Sequence, residues 1–340
     1  VGPSAAALYA DILSEILQHI PDHVDSLLLL PDGLLNSLPF GLLRTETEAP
    51  TLAERYEIHR LPSATLWLQW RQERSAAALR PALVLADPTL PYTDSNQAYA
   101  RVVTRGAPRD RRLDPLPLAR MEARSIHRHL GPGVRLLEGH EATESVVKTT
   151  ALHEFNVLHL AAHAKADHGD PESAAIFLAP EEPEEDGLLQ FREIVDLDLT
   201  GRTVVLSACD TASGEVLLGE GVLDLAHAFF RAGAHAVVAS LWPLRDDDGQ
   251  LFFDAFYQHL ARGESLAGAA RAAQRERIAQ GAPPAAWAGI VVLGDGSLVP
   301  FPDPPVRIPF PLALLLCLGL LGAAVGVVAY RARAVCATGG

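Results

Sequence analysis

The sequence predicts an α/β domain with a mostly parallel sheet covered by helices on both faces. Two observations predict it. Short runs rich in Val and Leu alternate with stretches of helical periodicity, the order expected of repeated βαβ units. Those runs show little apolar–polar alternation, as expected of strands buried on both sides. With 340 residues, 49% of them hydrophobic, the chain is long enough for one large domain or two small ones.

Taken in order, Ser4–Ile20 carries apolar residues at helical spacing and is stopped by Pro21. Leu27–Leu30 and Ala82–Ala86 read as strands. Leu118–Leu130 reads as a helix ending at Gly131, and Thr143–His153 as one that Thr143 caps. Val157–Ala161 and Thr203–Ala208 are the next strands. Helix Gly221–Ala232 stops at Gly233 and leads into strand Ala236–Leu241. Asp247–Ala261 opens with acidic residues that suit a helix N-terminus. Ser265–Gln280 is an Ala- and Arg-rich helix ending at Gly281, and Ile290–Leu293 is the last strand. Pro88–Pro117, the acidic tip Pro180–Asp186 and Pro300–Pro305 read as loops, for which exposure alone is a sufficient account. No internal repeat is visible.

The C-terminal end has a different character. Ile308–Tyr330 is 23 residues without a charge, flanked by Arg307, Arg331 and Arg333. At about 1.5 Å per helical residue it is long enough for a hydrocarbon core of about 30 Å. Gly322 and Gly326 have the spacing that lets two such helices pack closely. The plain alternative is a buried core helix. The expected organisation is a domain over 1–299, a Pro-rich linker over 300–307, a transmembrane helix over 308–330 and a short tail over 331–340. The arginines past the span favour the cytoplasm for that end, while the domain itself reads as cytosolic, so charge does not settle the orientation. A single-pass membrane protein with its domain facing the cytoplasm is expected. The chain opens at Val1 with no signal-peptide pattern, so a missing upstream sensor or repeat region is expected as well.

A formal net charge of −14 argues against nucleic acid as a partner, because phosphate binding needs a concentrated basic face. Three cysteines without a CxxC pair make no disulfide framework and no zinc site of that type. No GxGxxG or GxxxxGK[ST] follows any strand, so a nucleotide-binding reading is poor.

In open α/β sheets, reactive groups gather at the carboxyl ends of strands. "NVLHLAAHAKAD" ends in His163 and "TVVLSACD" ends in Cys209. A Cys and a His at adjacent strand ends can form a nucleophile–base dyad in which imidazole generates the attacking thiolate. Small residues after Cys209 let backbone amides approach a substrate carbonyl and stabilise an oxyanion. Alone, a Cys after a strand is most often a buried hydrophobe and a His in "AAHA" a satisfied core residue. The pairing carries more weight than either. His159, earlier in the same run and on the same face, lies inside the strand and is a weaker candidate; His153 and His168 read as surface residues.

Several segments together resemble the CHAT domain, a caspase- and separase-like cysteine peptidase family. "LLLLPDGLLNSLPFGLL", "VLADP", "ARMEARSI", "LHLAAHA", "SAAIFLAP" with "DGLLQFREI", "VVLSACDTASGE" and "GEGVLDLAHAFFRAGAHAVVASLWPLRDDD" occur in the family's order. The resemblance implies a caspase-like three-layer fold. It makes His163 the general base, Cys209 the nucleophile, and the backbone amides of Cys209 and Ala164 the oxyanion donors. Many relatives have Gly where Ala164 stands. In related peptidases "SLWPLRDDD" borders the pocket for the residue before the cut. Trp242 then forms an apolar wall and Asp246 faces a basic side chain, with Asp210 a second acidic candidate. The plain alternative is that Asp246–Asp248 only start a helix.

The reading that follows is a membrane-anchored cysteine endopeptidase cutting specific protein partners, with no metal or organic cofactor. Relatives act in bacterial signalling, defence or cell death under the control of attached sensor domains. The alternative from another class is a catalytically silent caspase-like module that assembles a complex at a membrane.

Overall fold

The computed structural model describes residues 2–73, 78–91, 113–165, 174–181, 185–207 and 220–302, the side chains of 220–224 excepted. In chain order the elements are α1 (Gly2–Ile12), α2 (Ser14–Leu17), β1 (Ser26–Leu29), α3 (Leu52–Arg55), β2 (Glu57–Arg60), α4 (Ala64–Trp70) and β3 (Arg80–Pro88). Next come α5 (Pro117–Leu130), β4 (Arg135–Gly139), α6 (Glu144–Thr149), β5 (Phe155–Ala161), β6 (Ala164–Lys165), β7 (Ala175–Phe177) and β8 (Leu188–Gln190). The last are α7 (Phe191–Val195), β9 (Thr203–Leu206), α8 (Glu220–Arg231), β10 (Ala236–Ser240), α9 (Asp246–Leu260), α10 (Leu266–Ala279) and β11 (Ile290–Gly294).

An eight-stranded sheet has the order β1-β2-β11-β10-β9-β5-β3-β4. Its pairings are parallel except β10 with β11. The sheet is thus two parallel blocks joined along one antiparallel seam, and β3, β4, β5, β9 and β10 deliver their carboxyl ends to one edge. Successive residues of the central strands alternate between two apolar layers. Val84, Val157, Val205 and Val238 face α5, α9 and α10, while Leu85, Leu158, Val204 and Val237 face α7 and α8. Double coverage explains why these strands read as continuous apolar runs. A small antiparallel sheet, β6-β7-β8, stands beyond the end of β5.

Several expected elements are altered. The single helix expected over 4–20 is two, because Leu13 leaves helical geometry at φ −120° and buries its side chain with Leu27, Phe40 and Leu43. The helix expected over 143–153 is shorter. Thr143 Oγ1 accepts from Val146 N at 3.2 Å as a cap, but Thr150 turns extended and the chain starts β5 at Phe155. β2 and β4 were not expected, since "EIHR" and "RLLEG" mix charged and apolar residues. Of the proline-rich 300–305 stretch, Phe301 is buried in the core. No helix among the described residues is long and apolar enough to cross a membrane; 308–330 lies outside them.

Candidate active site

β5 and β9 are parallel neighbours, with Leu160 opposite Leu206 and Ser207 N donating to Leu160 O at 3.0 Å. After β5 the chain passes through Ala162 to His163, whose side chain is buried. Phe177 N donates to His163 O at 2.8 Å, which ties this corner to β7. His163 Nε2 lies 2.7 Å from the backbone carbonyl oxygen of Asp114. A carbonyl only accepts, so Nε2 carries the proton and the neutral ring keeps its lone pair on Nδ1. Burial lowers the His163 pKa below 6.5. The Asp114 hydrogen bond and the nearby Asp87, Asp114 and Asp246 carboxylates oppose that shift.

Asp114 belongs to the stretch over 88–117 that was read as a loop without a role. Its described end instead holds the histidine. The 92–112 part lies outside the described residues. Cys209 and Asp210 lie outside them too, as does His168. His153 is on the surface, paired with Asp198 at 3.2 Å.

Ala164 follows in β6. The bond from Phe177 to His163 makes those two a hydrogen-bonded antiparallel pair, so the next pair, Ala164 with Ile176, is non-hydrogen-bonded. The Ala164 N–H therefore points away from β7 and is not used by the ladder. Among the described residues, the non-glycine positive φ belongs to Asp87 alone, so Ala164 needs no left-handed geometry and an alanine is tolerated there.

Trp242 and Asp246 follow the end of β10. The Trp242 indole rests on Gly289, where a Cβ would come within 2.5 Å of the ring, and Nε1–H donates to Ala285 O at 2.9 Å. Asp246 is the first residue of α9, and its Oδ2 accepts from Leu118 N at 3.2 Å. Arg245 takes Asp247 and Arg277 takes Asp248, whereas no Arg or Lys among the described residues pairs with Asp246, whose nearby opposite charge is His163. Burial, which outweighs the Leu118 N–H, raises its pKa. Asp246 thus starts α9, and its carboxylate also lies near enough to His163 for their charges to act on each other.

His159 is fully buried within β5. Its Nδ1 is 3.0 Å from Tyr257 OH and its Nε2 is 2.6 Å from Glu122 Oε1. The second approach is close but off the hydrogen-bond direction, so its attraction is electrostatic. The other Glu122 oxygen accepts from Ser207 Oγ at 3.0 Å, which braces the end of β9. Sequence reasoning missed Glu122 and Ser207; the polar Glu on the buried face of α5 was the available signal.

Away from this edge, Glu144, Glu185 and Glu193 bring carboxylate oxygens within 4.8 Å of one another. Lys148 Nζ reaches them at 3.1, 2.6 and 2.8 Å, so an internal ammonium already sits among the carboxylates where a cation would.

A family model described as CHAT domain matches residues 2–295. Tetratricopeptide repeat protein 28 of Homo sapiens is 27% identical over 312 residues, which cover 79% of this chain and 12% of that protein. The Mus musculus protein of the same name is 26% identical over 313 residues, again 79% and 12%. The chain spans about an eighth of the length of these curated relatives. Among solved structures, the complex of Porphyromonas gingivalis RgpB pro- and mature domains has a TM-score of 0.49 at 9% identity, covering 88% of this chain and 69% of that one. The Arg-specific cysteine proteinase gingipain R gives 0.47 at 10%, covering 71% and 55%. The Saccharomyces cerevisiae separase–securin complex gives 0.43 at 14%, covering 76% and 14%.

Proposed function

The chain belongs to the CHAT domain family, and from that premise we propose that it is a cysteine endopeptidase in which Cys209 is the nucleophile and His163 the general base. One observation carries the reading. Leu160 and Leu206 face each other in the sheet, and His163 and Cys209 each stand three positions further along their chains. Two parallel neighbours with this register end at the same edge of the sheet, their last paired residues three positions before His163 on one strand and three before Cys209 on the other, which supports pairing the two.

The chemistry follows from the tautomer. His163 Nδ1 takes the Cys209 proton, and the thiolate attacks the substrate carbonyl carbon. The negative oxygen is received by backbone amides of Cys209 and Ala164; the unused Ala164 N–H supports that assignment. The tetrahedral centre collapses as the imidazolium gives its proton to the departing amine, leaving a thioester. Water, deprotonated by the same Nδ1, attacks the thioester, and Cys209 leaves as thiol with the proton returned by His163.

Trp242 and Asp246 line the pocket for the residue before the cut, with Asp210 as a second acidic wall. Asp246, a half-buried carboxylate with no Arg or Lys partner among the described residues, supports a basic side chain there. The substrate is a protein. Residues 308–330, uncharged over 23 positions, are long enough to anchor the chain in a membrane, and we propose that they do.

Cleavage of a peptide library by the full chain tests the proposal. Cutting after Arg or Lys that vanishes in Cys209→Ala is expected. Cutting that survives Cys209→Ala would overturn the mechanism.

A further inference from the structure

The geometry points to Asp87 as the positioning residue that holds the Asp114 carbonyl against His163, and this inference rests on the peptidase reading above. Asp87 stands at the end of β3, the strand beside β5, just past the paired residues Ala86 and Ala161. The β3–β4 register shifts between Ala86 and Pro88, so Asp87 is a bulge residue. Its φ is +46°, a left-handed conformation that a side chain adopts only against a steric penalty, and Asp is among the residue types that best tolerate it.

The bulge turns the carboxylate inward, where it is almost wholly buried. Oδ1 accepts from Leu116 N at 2.7 Å. Oδ2 accepts from Arg120 Nε at 2.6 Å. Leu116 is the residue before helix α5, and no side chain of its own segment caps that end. Asp87 therefore supplies from another strand the acceptor that the turn over 113–116 lacks, while Arg120 in the first turns of α5 pins the second oxygen. Two residues before Leu116 is Asp114, whose carbonyl takes the His163 Nε2–H at 2.7 Å.

The path is short: bulge, carboxylate, Leu116 amide, Asp114 carbonyl, His163 ring. Each step is a hydrogen bond or a single turn of backbone. With the carbonyl in place, Nε2 keeps its proton and Nδ1 carries the lone pair that can take one from a thiol. Without the clamp the 113–116 turn loses its anchor and the ring exchanges tautomers. Among the described residues, the carboxylates of Asp87, Asp114 and Asp246 act on the ring, and Arg120 pairs with Asp87. None of them replaces the carbonyl as an acceptor fixed by backbone.

Two substitutions separate the clamp from the strain. Asp87→Gly removes the side chain and relieves the positive φ; Asp87→Asn keeps an acceptor for Leu116 N. In the full chain, Asp87→Gly is expected to lower kcat by about 100-fold with KM nearly unchanged, the scale of loss for a misplaced catalytic group. Asp87→Asn should recover most of it. Nitrogen-15 NMR of the His163 ring, assigned by difference from His163→Gln, reads the tautomer whether or not the chain cuts peptides. The wild type should show the Nε2–H form and Asp87→Gly a mixture. A single Nε2–H tautomer in Asp87→Gly, with only the melting temperature changed, would overturn the inference. A wild type that cuts no peptide while the tautomer shift in Asp87→Gly is intact would instead sink the peptidase reading and leave the clamp standing.

Discussion

His163 Nε2 sits 2.7 Å from the carbonyl oxygen of Asp114, and this contact determines which ring nitrogen can act as a base. Burial favours the neutral ring, outweighing the hydrogen bond and the three nearby carboxylates. In the proposed mechanism the neutral imidazole is the competent form, and burial lets it persist to lower pH than in a solvent-exposed histidine. The acid limb of the kcat/KM profile is therefore expected below 6.5, the ordinary histidine value. A profile on a fluorogenic peptide measures it, and an acid limb above 6.5 would contradict the assignment.

The buried Glu122–His159 contact sets a stability prediction. Glu122→Ala leaves His159 without its carboxylate, frees Ser207 Oγ and opens space between α5 and the sheet. Removing one partner of a buried pair costs about 3–5 kcal/mol, which urea denaturation will read as a lower midpoint. Ser207→Ala removes a single hydrogen bond and should cost only about 1 kcal/mol. Equal losses for the two would show that the carboxylate does not brace His159.

Glu144 sets a pH dependence of folding. Burial and then the neighbouring Glu193 charge push its pKa up to about 7, only partly offset by the Lys148 hydrogen bond. Burial opposes the charge on Lys148, but its bonds to Glu185, Glu193 and Glu144 prevail and keep it protonated. A carboxyl with a raised folded pKa binds protons more tightly when folded. Its stabilising contribution is full below 4.5 and is lost as pH rises through about 7. Glu144→Gln should flatten the fall in stability between those values. An unchanged slope in parallel urea titrations would place the titrating group elsewhere.

Gly289 holds Trp242 by having no side chain. Gly289→Ala puts a Cβ within 2.5 Å of the indole, so the ring must move. Overpacking of this kind costs about 1–3 kcal/mol. The expected kinetic result is a KM several-fold higher with kcat little changed, alongside a shift in tryptophan emission. Asp246→Asn should erase a preference for Arg over neutral residues before the cut. A preference untouched by both variants would remove Trp242 and Asp246 from the pocket.

The central sheet was legible because burial on both faces writes long Val- and Leu-rich runs, as in "ALVLA" and "VVLSA". β2 and β4 were not, because pairing at the flanks of the sheet leaves mixed sequences such as "EIHR". The antiparallel seam of β10 and β11 is a topological fact that periodicity does not encode. At the candidate site, His163 was singled out by its place after a strand, and that placement is legible in the sequence. The Asp114 contact was hidden because a backbone carbonyl has no residue signature, and Asp87 because its role depends on a left-handed bulge.

The most direct test of the account is mass-spectrometric mapping of the full chain after reaction with a peptidyl ketone ending in Arg. The chain has three cysteines, so the label can discriminate. The account predicts a stoichiometric adduct on Cys209 that His163→Ala abolishes. Labelling spread equally over Cys209, Cys317 and Cys336, or indifferent to His163, would contradict it.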